Sequence, residues 1–165
     1  MTQKAPYLAL HIANYFLWKA REEGVKDMTQ LKLMKLVYFA YAWNLAIFEK
    51  EIFSEIIEAW KHGPVVPSIY HEFKRFQNSP ITDYAELPFE DSLETYYPMV
   101  NSDDDNTIRV LETVWDVYKN KSGWDLRQIT HEDAGAWQGE NIPIERDRII
   151  ERATKAILDN RGKSV

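Results

Sequence analysis

A mainly α, compact single-domain fold of about five to six helices, with at most a small β-hairpin or short sheet, is what the sequence predicts, and three observations carry it. Apolar residues recur at helical spacing in several separate stretches. One further run, Leu36 to Phe48, is apolar or aromatic nearly all round and belongs in the middle of a helical assembly. β-Branched and aromatic residues in partial alternation occur in one short stretch, Ile52 to Trp60. The 165 residues suit one domain over 1–165 better than two. A chain of 19.4 kDa hides roughly 70% of its unfolded surface on folding, enough for an ordinary core.

Taken in order, Pro6 is expected to open the first helix and Gly24 to close it, with Leu8, Ile12, Phe16 and Ala20 as its buried stripe and Ala9 and Ala13 beside it. Thr29 caps a second helix, with Met28 and Leu33 in staple positions and Gln30, Lys32 and Lys35 as its polar early residues. The apolar run that follows falls about a third short of a membrane span, and two lysines precede it closely, so it reads as a covered core helix. Residues Ile52 to Trp60 suggest a short strand ending at the turn His62-Gly63-Pro64. Pro67 is placed to start a helix with Ile69, Phe73 and Phe76 on one face, ending before Asn78-Ser79-Pro80.

Residues 77–107 hold Pro80, Pro88 and Pro98 among Asp, Asn and Ser, the composition of a loop, with a short strand around Leu93 to Tyr97 expected to pair with the earlier one. Asp104 or Asp105 caps the next helix, whose buried face is Ile108, Leu111, Trp115 and Tyr118 and whose stop is Ser122-Gly123. A short helical turn from Asp125 to Thr130 follows, and a last helix runs from Pro143 through Ile149, Ile150, Ala153 and Ile157 to Gly162.

Charge is unevenly spread. The net charge is −6, yet residues 1–75 are slightly basic and 109–165 are neutral, so the acidic surplus lies wholly between Phe76 and Ile108. That stretch carries Asp83, Glu86, Glu90, Asp91, Glu94, Asp103, Asp104 and Asp105 and not one Lys or Arg. Such a segment repels phosphate backbones and attracts basic protein surfaces; in its plainest use it solubilises the domain. No nucleic-acid or membrane partner is expected. Met1 to Pro6 form no leader of basic and apolar parts, and the reading is a soluble, cytoplasmic protein.

The residues that carry chemistry elsewhere are missing or scattered. Zero cysteines exclude thiolate metal sites, disulfides and thiol catalysis. His11, His62, His71 and His131 match no common ligand spacing, so no metal is expected. There is no nucleophile elbow, and Ser54, Ser68 and Ser79 lack an identifiable base. The six glycines are too dispersed for a phosphate loop, and Asp103 to Asp105, being consecutive, diverge and suit caps better than catalysis. No cofactor and no enzymatic activity are expected. A helix-turn-helix near Leu31 to Leu45 lacks the polar face that base reading needs.

Four blocks are more specific than fold maintenance requires. They are Ile12-Ala13-Asn14-Tyr15-Phe16-Leu17, then TQLKLMKLVYFAYAW at 29–43, EAWKHGPVVPSIYHEFK at 58–74, and the Leu-x-x-Ile-Thr-His block ending at His131 with Trp137. In order and spacing the sequence resembles the Panacea domain, the SocA-like antitoxin family, also met as phage-associated proteins. It has Met34 where many relatives have Gln, and Ala136 where a Pro often precedes the Trp.

The resemblance implies an antitoxin of a toxin–antitoxin module that binds its toxin directly and carries no catalytic residues. Relatives neutralise toxins of several unrelated folds, many of which block translation. The residues themselves supply a candidate surface: Tyr84, Phe89, Tyr96 and Tyr97 interleaved with Asp91, Glu94 and Asp104, suited to a toxin with a basic face. Leu31, Leu36, Tyr38, Ala59, Trp60, Gly63, Pro64, Tyr70, His131 and Trp137 are expected to be structural. Lys32 and Lys35, with Lys61 and His62, suggest a buried ion pair or a small polar patch beside the Gly-Pro turn. Two other classes stay open: an adaptor delivering a client to a protease, and a phage-derived hydrolase with a deep pocket around His62, His71 or His131. The aromatic surplus suits a homo-oligomer or a toxin heterocomplex.

Overall fold

The computed structural model describes residues 4–133 and 142–161. The fold is mainly α, with six helices and two small antiparallel sheets among the described residues. The helices are α1 (Ala9–Glu23), α2 (Gln30–Phe48), α3 (Pro67–Phe73), α4 (Asp105–Tyr118), α5 (Gly123–Asp133) and α6 (Arg146–Asp159). The strands are β1 (Glu58–Trp60), β2 (Gly63–Val65), β3 (Leu87–Pro88), β4 (Thr95–Tyr96) and β5 (Ile142–Pro143).

The apolar helix α2 is the axis of the molecule, packed against α1, α3, α4, α5, α6 and β2. Its length and composition would pass for a membrane span, but 78% of that window is buried inside the fold. Around it aromatic side chains interlock: Phe39 stacks on Tyr118 at 4.1 Å between centroids, Trp43 meets Tyr118 edge-on, and Phe16 lies against Trp115.

Local chemistry explains most boundaries. Gly24 closes α1 in the left-handed conformation at φ 67°, and the Thr29 hydroxyl accepts the Lys32 amide to cap α2, with Met28 and Leu33 both buried. Pro67 opens α3, and a 3₁₀ turn at Lys74–Phe76 ends that arm before Asn78. The Asp104 carboxylate accepts the Thr107 amide at 3.2 Å to cap α4.

Elsewhere the structure corrects the expectation. The first helix starts three residues after Pro6, because Tyr7 forms a parallel bridge with Phe53 and the Glu55 carboxylate accepts the Ala9 amide at 2.9 Å; Leu8 is consequently exposed. Of the strand expected over Ile52 to Trp60, the last three residues form β1, while Ile52 and Phe53 fill the core. β1 turns back through Lys61-His62 into β2, and its other neighbour is β5. Pro143 therefore lies in an edge strand, where a missing N–H costs nothing, and the last helix begins at Arg146. The strand expected near Leu93 to Tyr97 exists as β4 but pairs with β3, not with β1. Ser122, expected as a stop, caps α5 instead: its hydroxyl accepts the Asp125 amide and the Asp125 carboxylate accepts the Ser122 amide.

Candidate partner-binding surface

Segment 77–107 is anchored at its base and open at its tip. The anchor is Asn14, fully buried in the middle of α1. Its side-chain N–H2 donates to the carbonyls of Ala85 and Pro98, both at 3.0 Å, and its Oδ1 accepts the Ala85 amide at 2.8 Å. A polar residue in an apolar stripe thus ties the two ends of the β3–β4 hairpin to one helix. Further fastenings are the Ile81 amide to the Met28 carbonyl, and Arg21, which donates to the Thr82 carbonyl while its guanidinium lies 4.4 Å from the Tyr84 ring.

Beyond the anchors the hairpin carries an exposed set of large side chains: Phe89, Leu93, Tyr96, Tyr97 and Met99, with Leu93 fully exposed. Phe89 and Tyr96 face each other across the hairpin at 4.8 Å, and Tyr97 meets Tyr84 at 5.4 Å. The turn between the strands is made by Asp91 in the left-handed region at φ 55°, a conformation Asp tolerates, and by the Ser92 hydroxyl accepting the Glu94 amide. Glu86, Glu90, Asp91 and Glu94 are exposed and form no ion pair among the described residues. Asp83 does, with Arg75 at 3.9 Å, so the acidic character belongs to the tip. Beside the base, an open cleft of ≈ 480 Å³ is lined by Glu72, Asp83, Tyr84, Glu86 and Tyr97 together with Arg21 and Arg75.

Of the seven sequence-predicted contact residues, Phe89, Asp91, Glu94, Tyr96 and Tyr97 share the exposed tip. Tyr84 is half-buried beneath Arg21. Asp104 is engaged within the fold: besides capping α4 it accepts a 2.7 Å hydrogen bond from the Tyr7 hydroxyl. Burial alone would raise its carboxyl, but hydrogen bonds from Tyr7 and Thr107 outweigh burial and hold it below the ordinary value. Burial, with the same contact adding to it, pushes the Tyr7 phenol up to about 12.

Of the other motif residues, Lys35 meets Gly63 and Pro64 at the β1–β2 turn. Leu36, Tyr38, Ala59, Gly63 and Pro64 are buried, and Leu31, Trp60, Tyr70 and His131 are half-buried. Trp137 lies outside the described residues. Trp60 packs edge-on against Tyr70 at 4.9 Å, and the Gln30 amide donates to the Tyr70 carbonyl. Both lysines of α2 are fully buried. The Lys32 ammonium donates to Asp27 at 2.8 Å and to the Lys119 carbonyl at 2.7 Å, placing a cation at the carboxyl end of α4 where the helix dipole favours it. Lys32 thus pairs with a carboxylate, but the Asp27 side chain is exposed, so the pair is not the buried one expected. Lys35 has no such carboxylate among the described residues; its ammonium donates to the Pro64 carbonyl at 3.2 Å. Sequence reasoning missed Asn14, Trp124 and Arg127, and the signal for Asn14 was an amide inside an apolar helical stripe. Among the described residues no group of three or more His, Asp or Glu is placed to hold a metal.

This arrangement of motif blocks has a family match. The family model described as antitoxin SocA-like, Panacea domain, matches residues 33–138, and the chain belongs to that family. It is also similar to Antitoxin SocA of Caulobacter vibrioides, 29% identical over 127 residues that make up 76% of this chain and 66% of the relative. The matched region thus spans slightly less than two thirds of that protein's length. No solved structure matches the chain.

Proposed function

We propose that the protein is an antitoxin that acts in the cytoplasm, binding a cognate toxin through the acidic, aromatic tip of the β3–β4 hairpin and neutralising it by occupying a basic surface. Family membership supports the antitoxin role. The observation that supports this surface is the tip itself, where Phe89, Leu93, Tyr96 and Tyr97 stand exposed among carboxylates that form no ion pair among the described residues. Exposed aromatics give contact area at low entropic cost, and unpaired carboxylates accelerate encounter with a basic partner and are screened by salt.

The test co-expresses the product of the neighbouring open reading frame with wild-type protein or with Asp91→Lys/Glu94→Lys, scoring growth and co-purification together. Rescue by a co-purifying wild-type complex, with binding weakened about tenfold or more at low salt in the double variant, supports the reading. Unchanged affinity at low salt removes the electrostatic part, and rescue without a complex removes binding as the mode of action.

A further inference from the structure

Around the Gly63-Pro64 turn three motif blocks bring five basic groups together. Lys35 comes from α2, Lys61 and His62 from the β1–β2 turn, Arg127 and His131 from α5. The Arg127 Nε donates to the His62 Nδ1 at 3.1 Å, which places the proton of the neutral imidazole on Nε2. No member of the group forms an ion pair with a carboxylate among the described residues. Buried charges are ordinarily paired, yet among the described residues the fully buried Lys35 ammonium donates to the Pro64 carbonyl and meets no carboxylate, and the buried Nε2 of His131 has no partner. The crowding is built in. Gly63 sits at φ 104°, and a Cβ there would stand 2.9 Å from the Lys35 ammonium and 3.1 Å from the Thr130 hydroxyl. On the outside, Trp124 is 61% exposed and Arg127 lies over its ring at 4.7 Å.

We infer that Lys61, His62 and Arg127, on the shelf of Trp124 and backed by Lys35 and His131, form a binding site for a carboxylate of a protein partner. Lys61 and His62 are exposed and Arg127 is half-exposed, so these three supply the contacting donors. A bound anion favours the ammonium form of Lys35, whose charge then acts from one layer below, next to His131. Burial and the neighbouring Arg127 charge press Lys35, His62 and His131 toward their neutral forms, a penalty that a bound anion removes. The acidic surplus of the chain opposes polyanionic nucleic acid at long range, and a set in which both histidines are held neutral matches a singly charged carboxylate better than a phosphate dianion. The site is independent of the hairpin surface, and its failure would leave the toxin-binding reading intact.

The test titrates the intact ¹⁵N-labelled protein at low salt with a tetraglutamate peptide and, separately, with inorganic phosphate, following the Trp124 indole and the Arg127 Nε resonances by NMR. Saturable shifts with the peptide are expected, about tenfold weaker in Arg127→Gln and in Lys61→Gln, two substitutions of side chains that bury little. Lys35→Met, which never touches the ligand, is expected to weaken binding while leaving the pattern of shifted resonances unchanged. No saturable shift, stronger saturation by phosphate, or unchanged affinity in both outer variants overturns the inference.

Discussion

The side-chain amide of Asn14 forms a two-way hydrogen bond with the backbone of Ala85, donating to its carbonyl and accepting its N–H, seventy-one residues along the chain. One helix residue thereby holds the acidic segment in place, and a second bond to Pro98 fixes the returning strand. Asn14→Leu keeps the volume and leaves buried backbone groups unpaired, so it costs about 1–3 kcal/mol. Native-state hydrogen exchange reads it directly: the Ala85 amide loses protection by more than the amides of α2. Equal loss everywhere would mean that Asn14 stabilises the whole fold and not the segment.

Aromatic stacking on α2 predicts a larger effect. Phe39→Ala removes a ring stacked on Tyr118 in a fully packed region and costs about 3–5 kcal/mol in chemical denaturation. A loss under about 1 kcal/mol would show that the ring is not locked against Tyr118.

Acid stability is tied to Tyr7 and Asp104. A carboxyl held below its ordinary 3.8 stabilises the fold fully above that value and loses its contribution as pH falls through the lower folded value. Asp104→Asn therefore lowers stability near neutrality by about 0.5–1.5 kcal/mol and flattens the acid limb of the curve, while the amide still caps α4. Tyr7→Phe shares part of the effect. Identical acid limbs in wild type and Asp104→Asn contradict it.

Lys35 gives the opposite sign. Burial pushes its ammonium from 10.5 down to about 7, with the Arg127 charge adding to it. Between these values the unfolded chain holds a proton that the folded chain has released, so stability rises with pH across the window and the penalty is complete below it. Lys35→Met removes that penalty, flattens the curve between about pH 7 and 10.5, and stabilises the protein below about pH 7. A wild-type curve already flat there would contradict the burial argument.

How far the sequence revealed this depends on how local the cause is. Gly24, Thr29, Pro67 and Asp104 punctuate their helices through contacts within a turn, and each was legible. Pro143 was misread because a helix start and an edge strand both accept a residue without an N–H, and the choice is made by β1, some eighty residues away. Ser122 failed for a similar reason, since the residue that ends one helical pattern caps the next. The exposed tip was half legible: its charge stands in the sequence, whereas its pairing of β4 with β3 depends on the Asn14 anchor. The basic cluster was half legible: a polar patch holding Lys35, Lys61 and His62 beside the Gly-Pro turn stands in the sequence expectation, whereas Arg127 and His131 join it only once α5 has packed against β2.

The most direct test of the antitoxin account is hydrogen exchange on the protein alone and in complex with its toxin. Contact through the hairpin predicts new protection at the amides of Phe89 and of residues 94–97, with the amides of the Lys61-His62 turn unchanged. Protection gained elsewhere, with the tip exchanging as fast as in the free protein, would contradict it.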